Sequence, residues 1–283
     1  MTNQELLKID NLEVCFYAEA QPENLVVRGF NLEIFPGETL ALIGESGCGK
    51  TTIARAILRL IDWPGKITNG KIFYRGENLL ALPEPRLRQI RWKEIALIFQ
   101  EPAAALNPLR RLGPQITEVL RLHLGLNKKS AAEKTLQLLE SAGLPAAARC
   151  FGAYPHELSS GMRQRAMIAM AIACRPALII ADEPTAALDA HHQNEALACL
   201  QRLQREYELS LLFITHDIGL IARWAHRVAI MQQGKIVEAE TTEQILARPQ
   251  HPHTKKLLEA AQRFQVPGLE SLEINHASIT AAG

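Results

Sequence analysis

Aromatic residues are scarce in this chain, at 5% of 283 positions, and that scarcity argues against a surface built to stack nucleic-acid bases. An excess of one charge sign is lacking too. Lys and Arg number 31 against 30 Asp and Glu, a formal net charge of +1, so no overall field selects a polyanion or a basic partner. The five cysteines, Cys15, Cys48, Cys150, Cys174 and Cys199, include no CxxC pair. That speaks against a zinc site or a disulfide framework and fits reduced thiols in a cytoplasmic compartment. Long apolar runs are absent: Ala166 to Cys174, the longest, has nine residues, where a membrane span needs about twenty. Met1 to Asp10 is polar and acidic where a signal peptide would be apolar. Repeats and low-complexity segments are missing as well. What remains is the composition of an ordinary globular protein, 47% hydrophobic and 22% charged, long enough to bury a core without disulfides or metal. Any membrane role is expected to be peripheral.

The apolar residues have a changing period. Leu6 to Phe16 and Val26 to Phe35 alternate roughly every second residue and read as strands, as does Lys66 to Tyr74 with a turn at Asn69-Gly70. Glu38 to Ile43, Ile95 to Phe99, Ala177 to Ala181 and Leu209 to Ile214 are short apolar strands of the kind buried on both faces. Thr52 to Ile61, Met162 to Cys174, Gln193 to Glu206 and Ile218 to Ala225 read as helices, and about 113–150 is a helical insertion. Val228 to Met231 and Lys235 to Ala239 flank a turn at Gln233-Gly234. From Thr242 the chain is helical, then fades into a polar tail. The alternation predicts an α/β core around a largely parallel sheet.

Gly44, Glu45, Ser46, Gly47, Cys48, Gly49, Lys50 and Thr51 spell GESGCGKT, a full match to GxxxxGK[ST] between a strand and the helix opened by Thr52. Glycines there let backbone N–H groups curl around phosphate oxygens, and the helix N-terminus adds its dipole and unpaired donors. Lys50 supplies a cation to the terminal phosphates and Thr51 a hydroxyl to Mg²⁺. The bland alternative, a glycine-rich turn, does not explain the strand–loop–helix context. LIIAD, Leu178 to Asp182, is an apolar strand ending in a carboxylate and followed by Glu183. Asp182 is placed to hold Mg²⁺, and Glu183 to orient or deprotonate an attacking water. Two surface acids at a strand end are the alternative, weakened by the phosphate loop upstream.

Four further features follow in order: Gln100 after an apolar strand, LSSGM at Leu158 to Met162, AALD at Ala186 to Asp189, and His216 in FITHD. Taken singly, Gln100 could be an ordinary polar residue, His216 a capping histidine and Asp189 a helix N-cap. The ordered set resembles the ABC ATPase family over about residues 6–264. That resemblance implies a P-loop NTPase core with an N-terminal antiparallel β subdomain and a helical insertion. It divides the chain into a nucleotide-binding domain at 1–250, its helical subdomain at about 101–160, and a C-terminal helix and tail at 251–283. It further implies ATP with Mg²⁺, hydrolysed between two head-to-tail subunits. Ser159, Ser160 and Gly161 would then face the γ-phosphate held by the opposite subunit. Gln100 would touch Mg²⁺, Asp189 would sit at the dimer seam and His216 would contact the γ-phosphate. Phe16 occupies the place of the family's adenine-stacking ring, with Tyr17 as competitor. The family's usual signature is LSGGQ. Here Ser160 replaces its first glycine and Met162 its glutamine, which puts the strength of this half-site in question.

IFQEPAAALNPLRR, ELSSGMRQRAMIAMA and HPHTKKLL (His251 to Leu258) are similar to the peptide/nickel importer branch. The implied partners are two transmembrane permease subunits and a second, different ATPase chain, with a homodimer as the other arrangement. A periplasmic binding protein would be engaged indirectly, and no nucleic acid. The implied place is the cytoplasmic face of the bacterial inner membrane. No cysteine follows Cys199, so the cysteine-rich extension of many peptide-importing members is missing, which tilts the reading toward a metal chelate. Two other readings stand beside this one: a regulatory partner subunit with a degenerate site marked by Ser160, and a non-transport ABC ATPase. One cassette, neutral charge and no CxxC argue against the last.

Overall fold

Two sheets meet across one core in the computed structural model, which describes residues 4–17, 24–100, 105–186, 188–221 and 224–263. The first is antiparallel. Strand β1 (Leu7–Phe16) lies between β2 (Asn24–Ile34) and β4 (Gly65–Tyr74), and the short β5 (Glu77–Asn78) closes the order β2-β1-β4-β5. Among the buried residues of β1, Leu7 and Ile9 are followed by Leu12 and Val14, so the alternation slips by one at Asp10-Asn11. Asn69-Gly70, expected as a turn, lies instead inside the continuous strand β4, opposite this slip. Gly70 absorbs the irregularity at φ 99°. A Cβ there would stand 2.5 Å from Leu12 Cα. The positive-φ freedom that suggested a turn serves a β-bulge.

The second sheet contains β3 (Thr39–Ile43), β6 (Ile95–Ile98), β7 (Leu178–Asp182), β8 (Ser210–Thr215), β9 (Arg227–Gln232) and β10 (Lys235–Thr241), in the order β10-β9-β3-β8-β7-β6. All neighbours are parallel except β10, which turns back on β9 at Gln233-Gly234. Its strands alternate between two cores. Leu40, Leu42, Ile95, Leu97, Leu178, Ile180, Leu212 and Ile214 join the cluster shared with the antiparallel sheet. Ala41, Ile43, Ala96, Ile98, Ile179, Ala181, Leu211 and Phe213 face the cluster beneath the helices. Burial on both faces explains why these strands read as unbroken apolar runs.

Helix α1 (Lys50–Ile57) starts two residues before and stops four before its expected bounds. Helix α2 (Glu84–Ile90) precedes β6. The insertion resolves into α3 (Leu112–Leu124), α4 (Lys128–Ser141) and α5 (Ala147–Gly152), packed on one another and on α6 (Ser160–Ala171). Gly125 ends α3 at φ 65°, and Asn127 caps α4 by accepting the Ser130 N–H at 2.9 Å. Helix α7 (Ala190–Glu206) joins β7 to β8. The helix expected over Ile218 to Ala225 is α8 (Ile218–Ile221), its remainder falling partly outside the described residues. Helices α9 (Thr242–Ala247) and α10 (Pro252–Arg263) follow β10. The polar tail, 264–283, and residues 101–104 of the helical subdomain lie outside the described residues.

The strand order positions the site. Neighbours β3, β8, β7 and β6 lead, at their C-terminal ends, into the Gly44 loop, His216, Asp182-Glu183 and Gln100 respectively. Four segments distant in sequence therefore open on one edge of the sheet, where ligands bind in such folds.

Candidate functional site, a phosphate loop facing a carboxylate

Helix α1 begins without a side-chain cap, and the preceding Gly49 has φ 108°. Its first N–H groups thus have no intrahelical acceptor. Lys50, only 5% exposed, folds back so that its Nζ donates to Gly44 O at 2.7 Å and Glu45 O at 2.9 Å. Among the described residues no carboxylate forms an ion pair with it. A buried ammonium held by two neutral carbonyls is a standing demand for an anion.

Asp182 lies beneath the loop, also 5% exposed, and its Oδ1 accepts the Thr51 hydroxyl at 3.2 Å. Burial pushes its carboxyl above the usual range. Glu183 adds to the rise, while the Thr51 hydroxyl, Lys50 and Arg55 oppose it. Hydroxyl and carboxylate oxygens side by side, with a second carboxylate next in the chain, are the donor chemistry of a hard divalent cation, so the residues fit Mg²⁺.

Glu183 adopts φ 44° and donates its N–H to Ile214 O at 2.9 Å. A non-glycine residue held there costs on the order of 1–3 kcal/mol, and such strain concentrates at functional sites. Each carboxylate oxygen has a partner: Gln100 Nε2 donates to Oε2 at 3.1 Å, and His216 Nδ1 lies 3.2 Å from Oε1. The three residues assigned to hydrolysis thus meet at one carboxylate, from the ends of β6, β7 and β8.

A cleft of about 510 Å³ is lined by Gly44, Glu45, Ser46, Gly47, Gly49, Lys50, Thr51, Thr52, Gln100, Glu183 and His216. Val26 and Leu257 complete its wall. Sequence reasoning missed both. Val26 is an apolar strand residue like its neighbours, but Leu257 belongs to the HPHTKKLL stretch, so a signal existed without a location.

Cys48 does not line the cleft. Burial raises its thiol above the ordinary value, with Lys50 working the other way. The other four cysteines are buried. Bulky maleimides should therefore inactivate through Cys48 slowly at neutral pH, faster as pH rises, and more slowly with ATP present. Following activity loss at several pH values checks this; attack at free-thiol rates, or no protection by ATP, would contradict it.

The remaining predicted residues stand elsewhere. Ser159 caps α6, its Oγ accepting the Met162 N–H at 3.2 Å while its own proton stays available to donate. Asp189 caps α7: its Oδ1 accepts the His192 N–H at 3.0 Å and its Oδ2 lies 2.6 Å from His192 Nδ1. The His192 ring lies against Gly161, where an added Cβ would meet Cδ2 at 2.8 Å. Ser159, Ser160, Gly161 and Asp189 therefore make a second constellation, at two adjacent helix starts, and none of them lines the cleft. Phe16 is half-buried, its ring against Gly65, whose added Cβ would meet it at 2.7 Å. Tyr17 stacks on Trp63 with centroids 6.2 Å apart and planes 5° from parallel.

A parallel sheet with a phosphate loop, a buried Lys and a positioned carboxylate defines a nucleoside triphosphatase of the P-loop class. Residues 27–186 match the ABC transporter family. The chain is 42% identical to the oligopeptide transport ATP-binding protein OppD of Bacillus subtilis, over 94% of this chain and 75% of that one. It is 40% identical to the dipeptide transport ATP-binding protein DppD of the same organism, over 96% and 81%. The peptidoglycan transport ATP-binding protein YejF of Agrobacterium fabrum is 44% identical over 93% of this chain, which spans only 48% of that protein. Among solved structures, the ATP-binding cassette MJ0796, a dimer bound to ADP and Pi, superposes with a TM-score of 0.74 at 27% identity, covering 83% of this chain and 98% of that one. The chain belongs to the ABC transporter family, and its fold is that of the family's ATP-hydrolysing cassette. It is an ATP-binding and ATP-hydrolysing subunit of that family. Among the described residues no helix is long and apolar enough to cross a membrane.

Proposed function

We propose that this chain hydrolyses ATP in the Gly44–Thr51 cleft as half of a nucleotide-sandwiching dimer, driving a peptide importer from the cytoplasmic face of a bacterial inner membrane. The observation that carries the reading is the convergence of Gln100 and His216 on the two oxygens of Glu183, beside a buried Lys50 whose hydrogen-bond partners among the described residues, two carbonyls and the Cys48 thiol, include no carboxylate. In this reading Lys50 and the N–H groups of the loop bind the β- and γ-phosphates. Thr51, Asp182 and Gln100 hold Mg²⁺, which when bound neutralises charge on the phosphate oxygens. Glu183 takes the proton of the attacking water, Gln100 fixes its carboxylate, and His216 donates toward the γ-phosphate. Adenine rests on Phe16, or on Tyr17 if the half-buried Phe16 ring does not turn out.

Ser159, Ser160, Gly161 and Asp189 serve the nucleotide of the other subunit. Their absence from their own cleft supports this, and so do two adjacent helix starts offering donors to an anion. ATP then bridges the subunits, and loss of the γ-phosphoryl group removes the bridge, a switch between two ligand-biased states. The domain division at 250, with about 101–160 passing the motion to two permease subunits, belongs to the same reading. A second ATPase chain and a periplasmic binding protein complete the proposed assembly. The names of the relatives favour peptide over a metal chelate as cargo, against the tilt drawn from the missing cysteines. They also favour transport over a non-transport role.

Cysteines introduced at Ser159 and Ser46 test the sandwich. With ATP, in a Glu183→Gln background, a crosslink should form between two chains, either two copies or this chain and its co-expressed partner. No ATP-dependent crosslink in either combination would remove the dimer from the proposal.

A further inference from the structure

Helix α10 is tied down at its start and borders the cleft at its middle. Its start is held by Glu238 of β10, whose Oε1 accepts the Gln250 N–H at 2.7 Å and whose Oε2 accepts the His251 N–H at 3.0 Å. Burial works against charge on Glu238, but the Thr254 hydroxyl and these two N–H groups outweigh it and hold its carboxyl below the usual range. Within the helix, His253, Thr254 and Leu258 are buried, Leu258 in the core beneath the helices. Leu257, next to Leu258, borders the cleft with His216, Glu183 and Gln100. Helix α10 also packs on α8, which begins two residues after His216. Asp217 ties that junction: its N–H donates to Thr215 Oγ1 at 3.0 Å and its Oδ1 accepts the Gly219 N–H at 2.8 Å. His216 itself has a side chain 61% exposed and is held by Glu183. A ring with so much open surface can take other rotamers unless something confines it.

We propose that Leu257, anchored through Glu238, is a positioning residue for hydrolysis: it confines the His216 ring to the rotamer that meets Glu183. This rests on the role given to His216 in the proposed function. It makes the C-terminal helix part of the hydrolytic site.

The test is ATP turnover and ATP affinity of the full chain, assembled with its partners. Leu257→Ala should lower kcat about tenfold, the scale of a modest misplacement of a reacting group, with ATP affinity unchanged. Leu257→Met should restore most of the rate. Glu238→Gln, which loosens the start of the helix, should also lower kcat alone. In a His216→Ala background, Leu257→Ala should cause no further loss. Several outcomes overturn the proposal: loss of ATP affinity in parallel with kcat, additive effects of the two alanine variants, or full activity in Leu257→Ala. Full activity in Leu257→Ala beside a slow His216→Ala strikes the positioning role alone. An unimpaired His216→Ala instead removes the role assigned to His216, and this inference with it.

Discussion

The Glu183→Gln variant should bind ATP as the parent chain does and hydrolyse it roughly 10²–10⁴-fold more slowly, the usual contribution of a positioned general base. That corresponds to about 3–5 kcal/mol of barrier. Glutamine keeps the size of the side chain and can still meet Gln100 and His216, which lie 3.1 Å and 3.2 Å from the native carboxylate. What it lacks is an oxygen able to take a proton. The φ of 44° is retained, since glutamine and glutamate carry the same backbone cost. The expected signature is therefore kinetic: normal affinity in nucleotide titration, normal melting, and a dimer that persists in ATP. Turnover within about twofold of the parent would mean that the attacking water is activated elsewhere. It would also revive the reading of a degenerate regulatory site.

Lys50→Ala should act on binding. Charge-assisted hydrogen bonds contribute about 1.5–3 kcal/mol each, so losing the ammonium from the terminal phosphates should weaken ATP binding roughly 10- to 150-fold. Two effects on stability oppose one another. The carbonyls of Gly44 and Glu45 lose the donor they hold at 2.7 Å and 2.9 Å. The chain is also relieved of a buried ammonium that no carboxylate among the described residues neutralises. Because the cleft is open to water, the two carbonyls can be rehydrated, and relief of the buried charge outweighs the lost hydrogen bonds. The variant should melt no earlier than the parent without nucleotide and gain much less from added ATP, since ligand stabilisation follows affinity. Calorimetric titration together with thermal melting separates these effects. Undiminished affinity would detach the phosphates from the Gly44–Thr51 loop.

Much of the site was legible because its residues are consecutive. GESGCGKT and LIIADE carry their chemistry in local order, and a strand that ends where a motif begins already says which edge of the sheet it serves. Where sequence and structure part, the causes are local as well. Asn69-Gly70 has turn chemistry, yet a positive φ suits a bulge as well as a turn, and only pairing with β1 decides between them. Ser159 and Asp189 suit, by sequence, both a helix cap and a nucleotide contact, and their geometry meets the capping description in full. The two roles are compatible, because a cap fixes where a helix start points.

By itself, the order of residues determined that the chain builds a parallel sheet carrying a phosphate loop, a carboxylate pair and an ATPase signature, since these depend on periodicity and on contiguous backbone donors. Tertiary structure alone decided that Gln100 and His216 share the carboxylate of Glu183 and that Leu257 forms part of the cleft wall. Those relations join segments tens to more than a hundred residues apart. Their distances follow from the strand order β3-β8-β7-β6 and from the anchoring of α10, and no local pattern of side chains encodes them.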